Sequence, residues 1–183
     1  MKEPLIKRLL HRNSEQQELE YRLSYGMKVG ENCHLYSISS IDGNWPWLIS
    51  IGDNVTVSSN VTILAHDASS NVVGCGTKLG RVIIGNNVFI GTGSIVLCNT
   101  RIGDNVVVGA GSLVTGDIPS NTVVAGRPAK PICSIEEYRK KMLKQRETRP
   151  NYAELHAWNE WREAPNEDKE KMIAELDEGI GFV

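Results

Sequence analysis

The stretch IGNNVFIGTGSIVLCNTR at Ile84–Arg101, followed at once by IGDNVVVGAGSLVTGDIP at Ile102–Pro119, is one pattern of eighteen residues written twice. A third copy stands upstream at Ile51–Ala68, IGDNVTVSSNVTILAHDA. Each copy divides into three sixes. The opening column holds Ile51, Val57, Ile63, Ile84, Ile90, Val96, Ile102, Val108 and Val114, without a polar exception. Four residues later come Val55, Val61, Asp67, Val88, Ser94, Thr100, Val106, Ser112 and Ile118, mostly small or β-branched, as a pleated and half-buried strand prefers. Between them stand Asn54, Asn60, His66, Asn87, Gly93, Asn99, Asn105, Gly111 and Asp117, types that tolerate positive φ and so mark a turn. Strand, tight turn and strand every six residues describe a three-sided coil, and stacked coils share one continuous core.

These repeats resemble those of the hexapeptide-repeat acyltransferases, from about Val29 to Lys130. The resemblance implies a left-handed parallel β-helix. The periodicity itself is silent on hand, and this hand runs against the usual right-handed crossover. The expected architecture is mainly β. It has an N-terminal helical cap over 1–28, the β-helix domain over 29–132 with a loop at 67–81, and a C-terminal helical extension over 133–183. Several chemistries occur on this scaffold, so function has to be read from the site.

With 183 residues the chain can hold one domain with a substantial core plus appendages. A net charge of −2 gives no reason to expect a nucleic-acid partner. The apolar runs of MKEPLIKRLLHRNSEQQELEYR are too short and interrupted for a signal peptide or membrane span. No membrane insertion and a cytoplasmic location are the expectations. Cys33, Cys75, Cys98 and Cys133 form no CxxC pair, which argues against disulfides and structural zinc; Cys33 falls on an inward column as a small core residue.

Leu5–Leu23 reads as one or two short amphipathic helices through Leu9, Leu10, Leu19 and Leu23, a cap over the first coil. The repeat then breaks twice. Ile41 to Ile51 is ten residues, and the intervening DGNWPWL carries the turn formers Gly43, Asn44 and Pro46. Here Asp42, Asn44 and one tryptophan, Trp45, are placed near substrate, with Trp47 packed. Ile63 to Ile84 is twenty-one residues rather than eighteen, so a loop leaves a coil corner at Asp67–Arg81, a candidate active-site wall. Beyond the repeats, Ser134–Glu137 is a capping box opening a helix to about Arg146, whose Arg139, Lys140, Lys141 and Lys144 form a solvated face. Pro150–Val183 reads as two more helices, with Asn166 as an N-cap, Met172, Ile173 and Leu176 apolar, and Trp158 and Trp161 turned inward.

His66 is the candidate catalytic residue. Its turn column points away from the interior, so the register does not make it a core histidine; the plain alternative is a histidine that merely tolerates the turn. Its setting, ILAHDAS before a loop, resembles the region of the catalytic histidine in galactoside, maltose and surface-polysaccharide O-acetyltransferases. The resemblance implies direct transfer in a ternary complex, with His66 taking the proton of a substrate hydroxyl as it attacks acetyl-CoA. Imidazole suits that task because its ordinary pKa, about 6.5, leaves it mostly neutral near pH 7. Asp67 either orients the imidazole or begins the loop. By likeness alone, amides near Gly91–Thr92 would hold the oxyanion.

The resemblance also implies a coenzyme A site at Thr92, Ala110, Thr115, Gly116 and Lys130, with Arg127 as a second cation. A basic residue is common where Gly116 stands, so that contact would be through backbone. For Ala110 and Thr115, ordinary repeat filling is the competing reading. The family implies a homotrimer with clefts between prisms, which would bury the outward Phe89, Leu97 and Leu113. The expected activity is therefore O-acetylation of a small saccharide acceptor, a cell-surface polysaccharide precursor. An amino-sugar N-acetyltransferase and a non-catalytic assembly module are the alternatives. No metal is expected: a zinc hydratase of this fold needs three histidines across subunits, and the repeats hold His34 and His66, with His11 and His156 outside. No Gly-rich phosphate loop precedes a helix, so no fused nucleotide-transfer domain is expected.

Overall fold

A computed structural model describes residues 14–153, 155, 161–177 and 179–183. The chain divides into two compact units, Met1–Ile135 and Glu136–Val183. Leu5, Leu9, Leu10, His11, His156 and Trp158 lie outside the described residues.

The first unit is a three-sided β-helix. One side stacks β1 (Lys28–Val29), β3 (Ile49–Ile51), β8 (Val82–Ile84) and β11 (Thr100–Ile102), all parallel. A second stacks β2 (His34–Leu35), β4 (Thr56–Val57), β9 (Val88–Ile90), β12 (Val106–Val108) and β14 (Thr122–Ala125). There β15 (Lys130–Ser134) turns back antiparallel along β14. The third stacks β5 (Thr62–Ile63), β10 (Ile95–Val96) and β13 (Leu113–Val114), and Ile41 extends it by bridging to Ile63. The whole opening column is buried, and so is the column four residues on, save Asp67. Buried Ser94 and Ser112 fit because their hydroxyls donate to the Gly109 carbonyl, so that neither hydroxyl is stranded. Glycine follows the opening residue because coils stack closely: a β-carbon on Gly91 would lie 2.5 Å from the amide nitrogen of Ala110.

The turn column behaves as its residue types require. Asn54, Asn60, Asn87, Asn99 and Asn105 all have φ between 55° and 59°, joined by Asn32 and Asn121, which lie outside the three aligned copies. Along the corner between the first and second sides a side-chain ladder forms: Asn87 Nδ2 donates to Asn105 Oδ1 (3.1 Å), and Asn105 Nδ2 to Asn121 Oδ1 (3.0 Å). Asn105→Ala breaks two rungs and puts a β-carbon at φ 55° without the amide that favours it. A loss of about 1–2 kcal/mol is expected. Urea midpoints should show it, with Asn105→Gly losing less because glycine keeps the turn.

His66 and Asp117 depart from the column and have no positive φ. His66 instead lies in extended β6 (His66–Asp67), paired antiparallel with β7 (Lys78–Leu79). The 67–81 loop is thus a hairpin, with a 3₁₀ turn at Ala68–Val73 near its tip and Val72 90% exposed.

At the N-terminal end, α1 (Ser14–Ser24) half-buries Leu19 against the core but leaves Leu23 42% exposed; its buried residue is Arg22. In the second unit, α2 (Ile135–Thr148) begins straight after Ser134. The N-cap of α3 (Asn166–Leu176) is Pro165, so Asn166 is its first helical residue and not the cap expected from sequence. Along α3, Met172 and Leu176 are half-buried but Ile173 is exposed. Trp161 is half-buried, edge-on to Tyr152 with ring centroids 5.8 Å apart. Among the described residues no helix is long and apolar enough to cross a membrane.

Candidate active site

Asp42 leaves the first coil at the residue after Ile41, and its backbone amide donates to the Ile63 carbonyl (2.8 Å). That one bond sets the Asp42 carboxylate over the end of β5. There Oδ2 accepts the Ala65 amide (3.0 Å) and also meets His66 Nδ1, while Oδ1 accepts the Asn44 amide (2.9 Å). The carboxylate is 1% exposed and the imidazole 26%. Burial by itself would push the Asp42 carboxyl up. The His66 hydrogen bond and the two amides outweigh it and hold it below the ordinary carboxylate value. Its ionised oxygens are occupied within the chain, so Asp42 backs the imidazole rather than offering a face to a sugar. The Trp45 ring lies tilted against the imidazole with centroids 4.5 Å apart and packs on the core; Trp47, the tryptophan expected to pack, is 54% exposed.

Asp67 takes the loop-forming alternative. Its carboxylate accepts the Ser69 amide (2.8 Å), starting the 3₁₀ turn, and pairs with Lys78 across the hairpin base. Lys78 foremost, and then Ser69, hold its carboxyl far below the usual range.

The imidazole opens on two depressions. A groove of about 780 Å³ is lined by His66, Lys78, Leu97, Cys98 and Thr115, with Leu64 at its edge. A shallower one of about 340 Å³ is lined by Arg22, Ser40, Asp42, Asn44 and Thr62, again with Leu64 and His66. His66 and Leu64 are thus common to both depressions.

The remaining expected positions are split. Thr115 lines the groove with His66, and Gly116 follows it. Exposed Thr92 and Ala110 occupy stacked corners that precede β10 and β13, while the groove follows those strands, so they flank opposite edges of that sheet. Lys130 is exposed on β15. Arg127 Nε donates to the Gly111 carbonyl (2.6 Å), bracing the corner beside Ala110. Cys33 is half-buried against the core, and its thiol donates to the Gly52 carbonyl (3.1 Å). His34 stacks on Tyr36 on the second side. Among the described residues no three His, Cys, Asp or Glu side chains gather as a metal-holding group.

Residues 81–116 match the family described as Bacterial transferase hexapeptide (six repeats), and residues 49–65 match the Hexapeptide repeat of succinyl-transferase. Protein CapG of Staphylococcus aureus is 42% identical over 144 residues, covering 76% of this chain and 82% of that protein. The chain belongs to the hexapeptide-repeat acetyltransferase family. Galactoside O-acetyltransferase of Escherichia coli (strain K12) is 35% identical over 120 residues, 62% of this chain and 58% of the relative. A solved galactoside acetyltransferase in complex with coenzyme A superposes with a TM-score of 0.51 at 25% identity, covering 76% of this chain and 94% of that one. The helix is accordingly the left-handed parallel β-helix of this acetyltransferase family.

Two features of this family member escape a repeat-based reading. The Asp42–His66 pairing spans 24 residues and becomes visible only once Ile41 is stacked on Ile63. Arg22 is missed because helical periodicity searches for apolar residues, and the buried one here is a cation.

Proposed function

We propose that this chain is an acetyl-CoA-dependent O-acetyltransferase acting on a sugar hydroxyl, with His66 as general base. What carries the reading is the His66–Asp42 pair, whose imidazole faces a depression on either side. Asp42 accepts the Nδ1 proton and so leaves Nε2 as a proton acceptor. Nε2 takes the hydroxyl proton as the acceptor oxygen attacks the thioester carbonyl. When the tetrahedral intermediate collapses, the C–S bond breaks and the imidazolium returns that proton to the leaving thiolate.

The groove of about 780 Å³ has room for an acyl-thioester arm beside His66, with Thr115 and Lys78 on its wall. The shallower depression, with Ser40, Asn44 and Thr62, offers hydroxyl and amide partners to a saccharide. Thr92, Ala110 and Lys130 serve the same cosubstrate in a homotrimer. Since Thr92 and Ala110 flank the far edge of the sheet from His66, a neighbouring copy would bring its own corner to this groove. The galactoside acetyltransferase relatives favour a saccharide, and a cell-surface polysaccharide precursor assembled in the cytoplasm is the acceptor class proposed.

The test is a panel of neutral sugars, amino sugars and nucleotide sugars with acetyl-CoA, read by thiol release and mass of the product. An ester on a hydroxyl is expected. An amide on every turned-over acceptor would replace this reading with N-acetylation, and no turnover with no coenzyme A binding by calorimetry would replace it with a structural module.

A further inference from the structure

Arg22 is 4% exposed, an uncommon place for a cation and one that has to be matched by good partners. Its Nε donates to the Ile41 carbonyl at 2.8 Å, in a buried hydrogen bond spanning 19 residues. Nη1 donates to the Glu18 carbonyl (3.1 Å) and pairs with the Glu18 carboxylate one helical turn away. The remaining edge lies flat on Gly43: a β-carbon there would come 3.3 Å from Nη2. Ile41 and Gly43 are the two neighbours of Asp42. The guanidinium therefore holds the backbone before the carboxylate that backs His66 by a hydrogen bond, lies beside the backbone after it, and also lines the shallower depression.

The Asp42 segment needs such a brace. It interrupts the repeat, and its backbone joins that side of the stack through the isolated Ile41–Ile63 bridge, of which the Asp42 amide bond is part. Coil stacking alone thus fixes the segment weakly, while the imidazole needs its partner held to a fraction of an ångström.

We infer that Arg22 is a positioning residue for acetyl transfer: from the N-terminal helix it fixes Ile41–Gly43 so that the Asp42 carboxylate stays behind His66. This rests on the general-base reading of His66. Glu18 anchors the far side of the guanidinium without touching the Asp42 segment.

The test is a double-mutant cycle with acetyl-CoA and the best saccharide of the panel above. Arg22→Met should lower kcat about 10- to 100-fold with KM within about twofold. Placed on Asp42→Asn, the same change should lower kcat by less than about threefold, since the group it acts through is already lost. A second readout needs no acceptor. The ¹⁵N spectrum of the free enzyme should show His66 in the Nδ1-protonated form, passing to a mixture of tautomers in Arg22→Met.

If Arg22→Met does not fold, Arg22→Lys keeps stem and charge but loses the fork. It should still lose at least about threefold in kcat, again absent on Asp42→Asn. Wild-type kcat in a folded Arg22 variant, or equal losses on both backgrounds, would overturn the inference while leaving His66 in place. Full turnover by His66→Ala would instead remove the reading beneath it.

Discussion

His66→Ala is expected to fold as the parent does and to lose about 10²–10⁴ in kcat, the usual contribution of a positioned general base. The structure separates the two effects. The imidazole stands on the hairpin beyond the last coil residue, 26% exposed, and none of the buried columns depends on it. Its removal leaves Asp42 with the Ala65 and Asn44 amides, so the stability loss should stay below about 2 kcal/mol. Thermal melts by circular dichroism check the fold, and steady-state thiol release checks the rate. A folded variant within threefold of wild type would end the general-base assignment. KM for acetyl-CoA should move little, because a proton acceptor acts on the transition state more than on ground-state binding.

Ile90→Ala should have the largest effect on stability. Ile90 is fully buried on β9, paired with Val57 on one neighbouring coil and Val108 on the other. In a stacked repeat each unit is supported only by its neighbours, so a cavity there weakens two interfaces at once. A loss of about 2–5 kcal/mol is expected, read as a shift of the guanidinium midpoint. Ile132→Ala makes the control: that side chain is 64% exposed on β15 and should cost no more than about 0.5 kcal/mol. Equal losses at both positions would mean that burial in the stack is not what holds the fold.

The coil was legible because each of its rules is local. An apolar residue every six positions fixes what faces inward, and Asn or Gly at a fixed offset fixes where the chain turns. Both held at almost every repeat position. The site lies where the rules lapse. His66 sits in a turn column by count yet in a strand by geometry, since the hairpin draws it into pairing with Leu79 and no turn is made. Asp42 was expected on the substrate side, and its pairing with His66 was not legible, because the ten-residue gap hides which residue stacks on Ile63. Arg22 left no trace in the pattern: on α1 the apolar Leu23 faces outward and the cation is inside. Its role comes from two backbone neighbours of Asp42, which no side-chain pattern records.

A structure made by laying one rung on the next has no inherent length, and its last rung offers a bare row of amides and carbonyls to any similar molecule. In this protein β15 occupies that row, running against the direction of every other strand in its sheet. It carries Pro131, which has no amide to donate, and its register with β14 slips between Val123 and Val124. An incoming parallel strand meets the wrong polarity and a missing donor. The returning segment is in effect a stopper against fibre growth, and shortening it is the change most apt to turn a discrete particle into a filament.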